Sequence, residues 1–92
     1  MINAIILLKV QSERINEVAQ ELVDLDGVSE VYSVAGQYDL VVVARTRGDD
    51  AVAALVTEQV LKVKGLLSSE TLIAFRTYSR HDLERMFSVG MP

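Results

Sequence analysis

The sequence predicts a single α+β domain whose elements follow the order β-α-β-β-α-β. Three observations carry this. Residues 2–10 and 40–44 are apolar runs without polar alternation, as in strands covered on both faces. Two further stretches, beginning near Ser12 and Asp49, place apolar residues at helical spacing. Single glycines at 27, 36 and 65 punctuate the segments between them. This order is the split-βαβ, ferredoxin-like arrangement: a four-stranded antiparallel sheet with two crossover helices on one face.

Each element has its own signal. Ile2 to Val10 is leucine-rich and β-branched, hence a strand. Ser12 offers an N-cap with Glu13 in the first turn, and Ile15, Val18, Ala19 and Leu22 then form one helical stripe. Arg14, Glu17, Glu21 and Asp24 occupy the other side, and Gly27 is expected as a left-handed C-cap. Residues 28–34 read as the second strand and Leu40 to Ala44 as the third, joined by a hairpin. Asp49 starts the second helix, with Val52, Leu55, Val56 and Val60 on one stripe. Lys62 and Lys64 suit its last turn, and Gly65 stops it. Ser69 to Thr77 is the expected fourth strand. Ser79, with Asp82 three residues on, resembles a capping box for a short C-terminal helix bearing Leu83, Met86 and Phe87. The whole chain, 1–92, reads as one domain, with 79–92 as a C-terminal tail.

Composition narrows the function. Thirteen acids against nine bases give a net charge of −4, and no basic stripe stands out. This argues against direct nucleic-acid binding, which rests heavily on phosphate neutralisation. There is no cysteine, so disulfides, thiolate metal sites and cysteine nucleophiles are excluded. The apolar N-terminal run lacks a basic flank and is too short to span a bilayer, so no signal peptide or membrane anchor is expected, and the implied location is cytoplasmic.

Half of the residues are hydrophobic, a large share for 92. Two helices cover one face of the sheet, yet Ile5 and Leu7 alternate with Ala4, Ile6 and Leu8, and Val41 and Val43 with Leu40 and Val42. Both faces are therefore apolar at the centre of the sheet. An uncovered face of that kind is an interaction surface. The expected closure is a twofold homodimer with sheet facing sheet, a dimeric α+β barrel. The alternative is that the C-terminal segment folds back over the sheet.

Catalytic chemistry is sparse. His81 is the single histidine, with no second histidine or cysteine to complete a metal set. Ser68-Ser69 lacks nucleophile-elbow glycines, and there is no P-loop or dinucleotide fingerprint. Asp49-Asp50 fits a helix start. No enzyme activity, cofactor or metal is expected, with an enzyme of the dimeric α+β-barrel type as the alternative; it would need a polar cavity inside the dimer, and these strands are too aliphatic to line one.

The stretch 34-VAGQYDLVV-42 carries the strongest functional signal. A small residue, then Gly36, Tyr38 and Asp39, then Leu40-Val41-Val42 resembles the ligand-sensing domain of the Lrp/AsnC (feast/famine) transcriptional regulators, called RAM for regulation of amino-acid metabolism. The resemblance covers residues 2–80, and it departs from the family's frequent Pro-Gly by having Lys64-Gly65. Typical members carry a helix-turn-helix ahead of this domain, so the chain resembles a stand-alone module without one.

The resemblance implies a sheet-to-sheet homodimer, higher assembly such as an octamer ring, and an amino-acid effector bound where dimers meet. A full-length Lrp/AsnC regulator is an implied partner. By motif, the loop residues Gly36, Gln37, Tyr38 and Asp39 would bind the effector, with Ser69 and Thr71 at the start of the last strand as hydroxyl partners. Gly36 would let backbone amides approach a carboxylate, and Asp39 would pair with an α-ammonium or a side-chain donor. Read as a turn alone, Gly36 supplies a positive φ, Asp39 hydrogen-bonds its own turn and Tyr38 packs.

Overall fold

The apolar runs become the centre of a sheet. In the computed structural model, which describes residues 1–80, strand β1 spans Ile2–Val10, β2 Val28–Ser33, β3 Leu40–Thr46 and β4 Leu66–Ala74. They form one sheet in the order β2-β3-β1-β4, with every adjacent pair antiparallel. Helix α1 spans Ile15–Val23, and α2 spans Asp49–Ala54. The expected α+β, ferredoxin-like order is the one observed. The expected C-terminal helix with Leu83, Met86 and Phe87 lies outside the described residues, as does His81.

Alternate strand residues build the core. Ala4, Ile6, Leu8 and Val10 of β1 and Leu40, Val42 and Ala44 of β3 face the helices and are buried. Val18 and Leu22 of α1 and Val52 of α2 pack onto them, with Leu55 and Val60 beyond α2. Each fully buried aliphatic side chain of this size contributes about 1.5–3 kcal/mol, so this layer supplies the main driving force for folding.

Several local expectations give way to tertiary structure. Ser12 does not cap α1: residues Ser12–Arg14 form a 3-10 turn, and neither this turn nor α1 has a side-chain cap hydrogen bond. Here the chain is tied back by the Gln11 amide, which donates to the Gly65 carbonyl at 2.8 Å, leaving a tight turn in place of a capped start. Helix α1 ends at Val23 with Asp24 as its C-cap, and Gly27 lies in the turn beyond it. The positive φ expected of Gly27 is present (94°), and its carbonyl accepts the Arg45 amide at 2.7 Å. The second helix does not stay α-helical. It passes into a π-helical turn over Leu55–Gln59 and a 3-10 turn over Val60–Lys62, which leaves Lys64 beyond its end.

Strand boundaries move for the same reason. β3 runs on to Thr46, which pairs with Ile2. β4 begins at Leu66, where Gly65 (φ 102°) delivers the chain opposite Val10, and it ends at Ala74. A Cβ on Gly65 would lie 3.1 Å from the Arg14 side chain, whose Nε donates to the Lys64 carbonyl at 3.3 Å. That turn therefore requires glycine for its backbone angle, and a Cβ there would also have to displace the Arg14 side chain slightly.

Candidate functional site

The loop between β2 and β3 starts from a backbone requirement. Gly36 has φ 133°, a conformation that side chains disfavour, although a Cβ there would meet nothing within 4 Å. Angle alone asks for glycine at this position. Gly36 and Gln37 are exposed at the tip, while Tyr38 and Asp39 are half-buried at its base.

Asp39 is anchored twice to the end of β1. Its amide donates to the Leu8 carbonyl at 2.8 Å, and the Val10 amide donates to its Oδ2, also at 2.8 Å. Its carbonyl accepts the Val34 amide at 3.0 Å, which closes the hairpin. The carboxylate thus continues the β1–β3 ladder one step past Leu8–Leu40, where regular pairing stops. Its hydrogen bond reaches across to β1, not within its own turn.

Tyr38 reaches further. Its hydroxyl donates to Oε2 of Glu70 on β4, at a long 3.4 Å. Partial desolvation and then the charge and hydrogen bond of Glu70 push the phenol above its ordinary value of 10.0. Glu70 pairs with Leu7, and so lies on the sheet face opposite the helices. On the far edge of that face, the Tyr32 hydroxyl donates to Glu30 Oε2 at 2.7 Å. This hydrogen bond, followed by the Glu30 charge and desolvation, raises the Tyr32 phenol too.

Between the two tyrosine–glutamate pairs lies an apolar strip. Ile5, Leu7, Val41 and Val43 are half-buried there, and Leu72 is 44 % exposed. Among the described residues no helix covers this strip.

The structure separates the expected site residues into two groups. Gly36, Gln37, Tyr38 and Asp39 share the loop. Ser69 pairs with Leu8 and Thr71 with Ile6, whose side chains lie under the helices, so both hydroxyls sit on the helix side of the sheet. Neither is at the strand start, because β4 begins three residues before Ser69. The β4 side chain that meets the loop is Glu70. Sequence reasoning passed over it, although strand alternation groups Ser68, Glu70 and Leu72 on one face. Which of the two faces the loop addresses depends on register.

Comparison with known proteins assigns this architecture. Residues 3–83 match the family model of the Lrp/AsnC ligand binding domain. The chain belongs to the Lrp/AsnC ligand-binding domain family. Among its relatives is the HTH-type transcriptional regulator FL11 of Pyrococcus abyssi, 32% identical over 75 residues, which are 82% of this chain and 49% of that protein. The chain thus spans about half the length of the curated Lrp/AsnC relatives it matches. Among solved structures, TTHA0845 from Thermus thermophilus is 38% identical with a TM-score of 0.82, covering 87% of this chain and all (100%) of that one. AsnC of E. coli shares the fold at 23% identity and a TM-score of 0.77, over 83% of this chain and 52% of its own.

Proposed function

We propose that this Lrp/AsnC domain is a small-molecule sensing and assembly module that binds an amino acid through the Gly36–Asp39 loop and self-associates through its open sheet face. The observation that carries the reading is the junction between the two. Tyr38, beside the loop tip, is hydrogen-bonded to Glu70 on the rim of the apolar strip. A ligand that rearranged this pair would act directly on the edge of the association surface. The backbone amides near Gly36 suit a carboxylate, and the acids Asp39 and Glu70 suit an ammonium group.

Ile5, Leu7, Val41, Val43 and Leu72 supply a contiguous surface for sheet-to-sheet dimerisation. Further assembly of dimers into a ring would bring loops from different dimers together. The regulated process is transcription of amino-acid metabolism, in the cytoplasm. A full-length Lrp/AsnC regulator with the same domain is the natural partner, since a shared surface permits co-assembly. Among the described residues no helix is long and apolar enough to cross a membrane.

A second reading has its own observation. The Asp39 Oδ2 is already engaged by the Val10 amide, so the loop also suits a purely structural corner in an assembly scaffold. A thermal-shift screen of the twenty amino acids, with light scattering on the same samples, separates the two. Ligand at a hundred times its dissociation constant adds about 2.7 kcal/mol, well above detection. A selective rise in Tm accompanied by a change in particle mass supports the sensor. A flat screen on a stable oligomer favours the scaffold.

A further inference from the structure

On the other side of the sheet, an apolar groove of about 510 Å³ runs between the second helix and β4. Val52, Ala53 and Val56 line it on one side and Ile73 on the other, with Phe75 at its open end. That volume lies within the usual range for small-molecule sites. The polar groups sit at its ends. Asp49 opens α2 just after β3, and Phe75 follows Ala74, which pairs with Asn3, so both lie at the same end of the sheet. From there, eight helical residues and four strand residues each rise about 12–13 Å, which brings Thr57 and Thr71 together at the other end. The Thr57 hydroxyl donates to the Ala53 carbonyl at 2.7 Å, leaving its lone pairs as acceptors. The Thr57 wall belongs to the π-helical turn Leu55–Gln59, a distortion that frequently accompanies functional sites.

Charge selects the occupant. Among the described residues lining the groove, Asp49 is the only ionisable one of either sign. A free amino acid would bring a carboxylate with no cation among the described lining residues to receive it and with Asp49 to repel it. An amine without a carboxylate meets none of this. Its ammonium would face Asp49 and the ring of Phe75, which is 98% exposed among the described residues and offers a face for a cation–π contact. Its hydrocarbon body would cover Val52, Val56 and Ile73. We infer that the groove between the second helix and β4 is a second ligand site, separate from the Gly36–Asp39 loop, that takes a small apolar primary amine.

The test is a chemical-shift titration of the ¹⁵N-labelled full chain with isoamylamine, and in parallel with isovalerate, which has the same branched body and the opposite charge. Isoamylamine is expected to shift the amides of Ala53, Thr57, Thr71 and Ile73 saturably, with isovalerate leaving them in place. Asp49→Asn should weaken the amine about two- to fivefold, the range for a solvent-exposed ion pair. Ala53→Phe should fill the groove and abolish the shifts, with unchanged circular dichroism showing that the fold persists. Equal binding of both probes, shifts confined to the loop or the open face, or contacts from a second copy at Thr57 and Thr71 in place of the amine would each overturn the proposal. The amino-acid screen reads the loop site independently, so either site can fail without the other.

Discussion

Within β1, Ile6 is wholly buried while its neighbours Ile5 and Leu7 are only half-buried, although all three are large aliphatics. The difference is supplied entirely by what lies above each face. The helix side meets Val18, Leu22 and Val52, and the other side meets no helix among the described residues. A sheet that faces water on one side normally alternates apolar and polar residues. This one keeps its aliphatics on both sides through β1 and β3, and confines its carboxylates on the open face to the edges, at Glu30 and Glu70. Strand composition thus records a surface that the described elements do not cover.

Substitutions at adjacent positions break the comparison most sharply. Ile6→Ala should cost about 2–5 kcal/mol, because a cavity opens in a layer that cannot collapse around it. Urea unfolding checks this, and the loss should not depend on protein concentration. Leu7→Asp, one residue away, should preserve the circular dichroism of the fold and reduce the light-scattering mass to that of one protomer. An unchanged mass would remove the open face from the account of assembly.

The same contrast explains what the sequence could and could not disclose. Strand and helix identity was legible because Ile2–Val10 and the Ile15–Leu22 stripe declare their periods in composition alone. Their ends were not. Ser12 has the chemistry of a cap, but the Gln11–Gly65 hydrogen bond decides how the chain enters α1. β4 starts at Leu66 because the Gly65 turn places it opposite Val10, and no property of Leu66 announces that pairing. In the candidate site, Gly36 and Asp39 stood out as a backbone need and an acid. Glu70 did not, since its meeting with Tyr38 depends on a register set by residues distant in sequence. The grouping of Ser69 and Thr71 with the loop followed the family pattern along the chain, whereas strand alternation turns both to the helix side.

Asp39 provides a smaller test, because it joins the loop to the helix-covered sheet without belonging to either face. Asp39→Ala leaves the part-buried Val10 amide without its acceptor and should cost about 1–3 kcal/mol. Asp39→Asn retains an oxygen for that amide and should lose less. Hydrogen exchange at Val10 reports the contact directly: it should accelerate in the alanine variant and only slightly in the asparagine one. If asparagine nonetheless abolishes an amino-acid response, the charge acts on a ligand and the latch is a separate duty of the same side chain. If both variants behave as wild type in exchange and stability, the anchoring role assigned to Asp39 fails.

The smallest effect sharpens the comparison between the two edges of the open face. Both phenols are raised above 10.0, but for differently ordered reasons: Tyr32 chiefly by its hydrogen bond to Glu30, Tyr38 chiefly by desolvation and then by Glu70. An acid whose pKa is raised in the folded state contributes its stabilisation below its unfolded value, here 10.0, and loses it as pH climbs through the folded value. Neither tyrosine should therefore affect stability between about pH 5 and 9, and both should weaken the fold only in strong alkali. Glu70→Gln removes the neighbouring charge but leaves the desolvation, so Tyr38 should ionise at a lower pH than in the wild type. Tyrosinate absorbance, taken as the difference from Tyr38→Phe in each background, isolates that one phenol. Tyr32, paired with Glu30 at the opposite edge, should titrate unchanged, and a matching shift there would mean that Glu70 acts on the whole face and not through its contact with Tyr38.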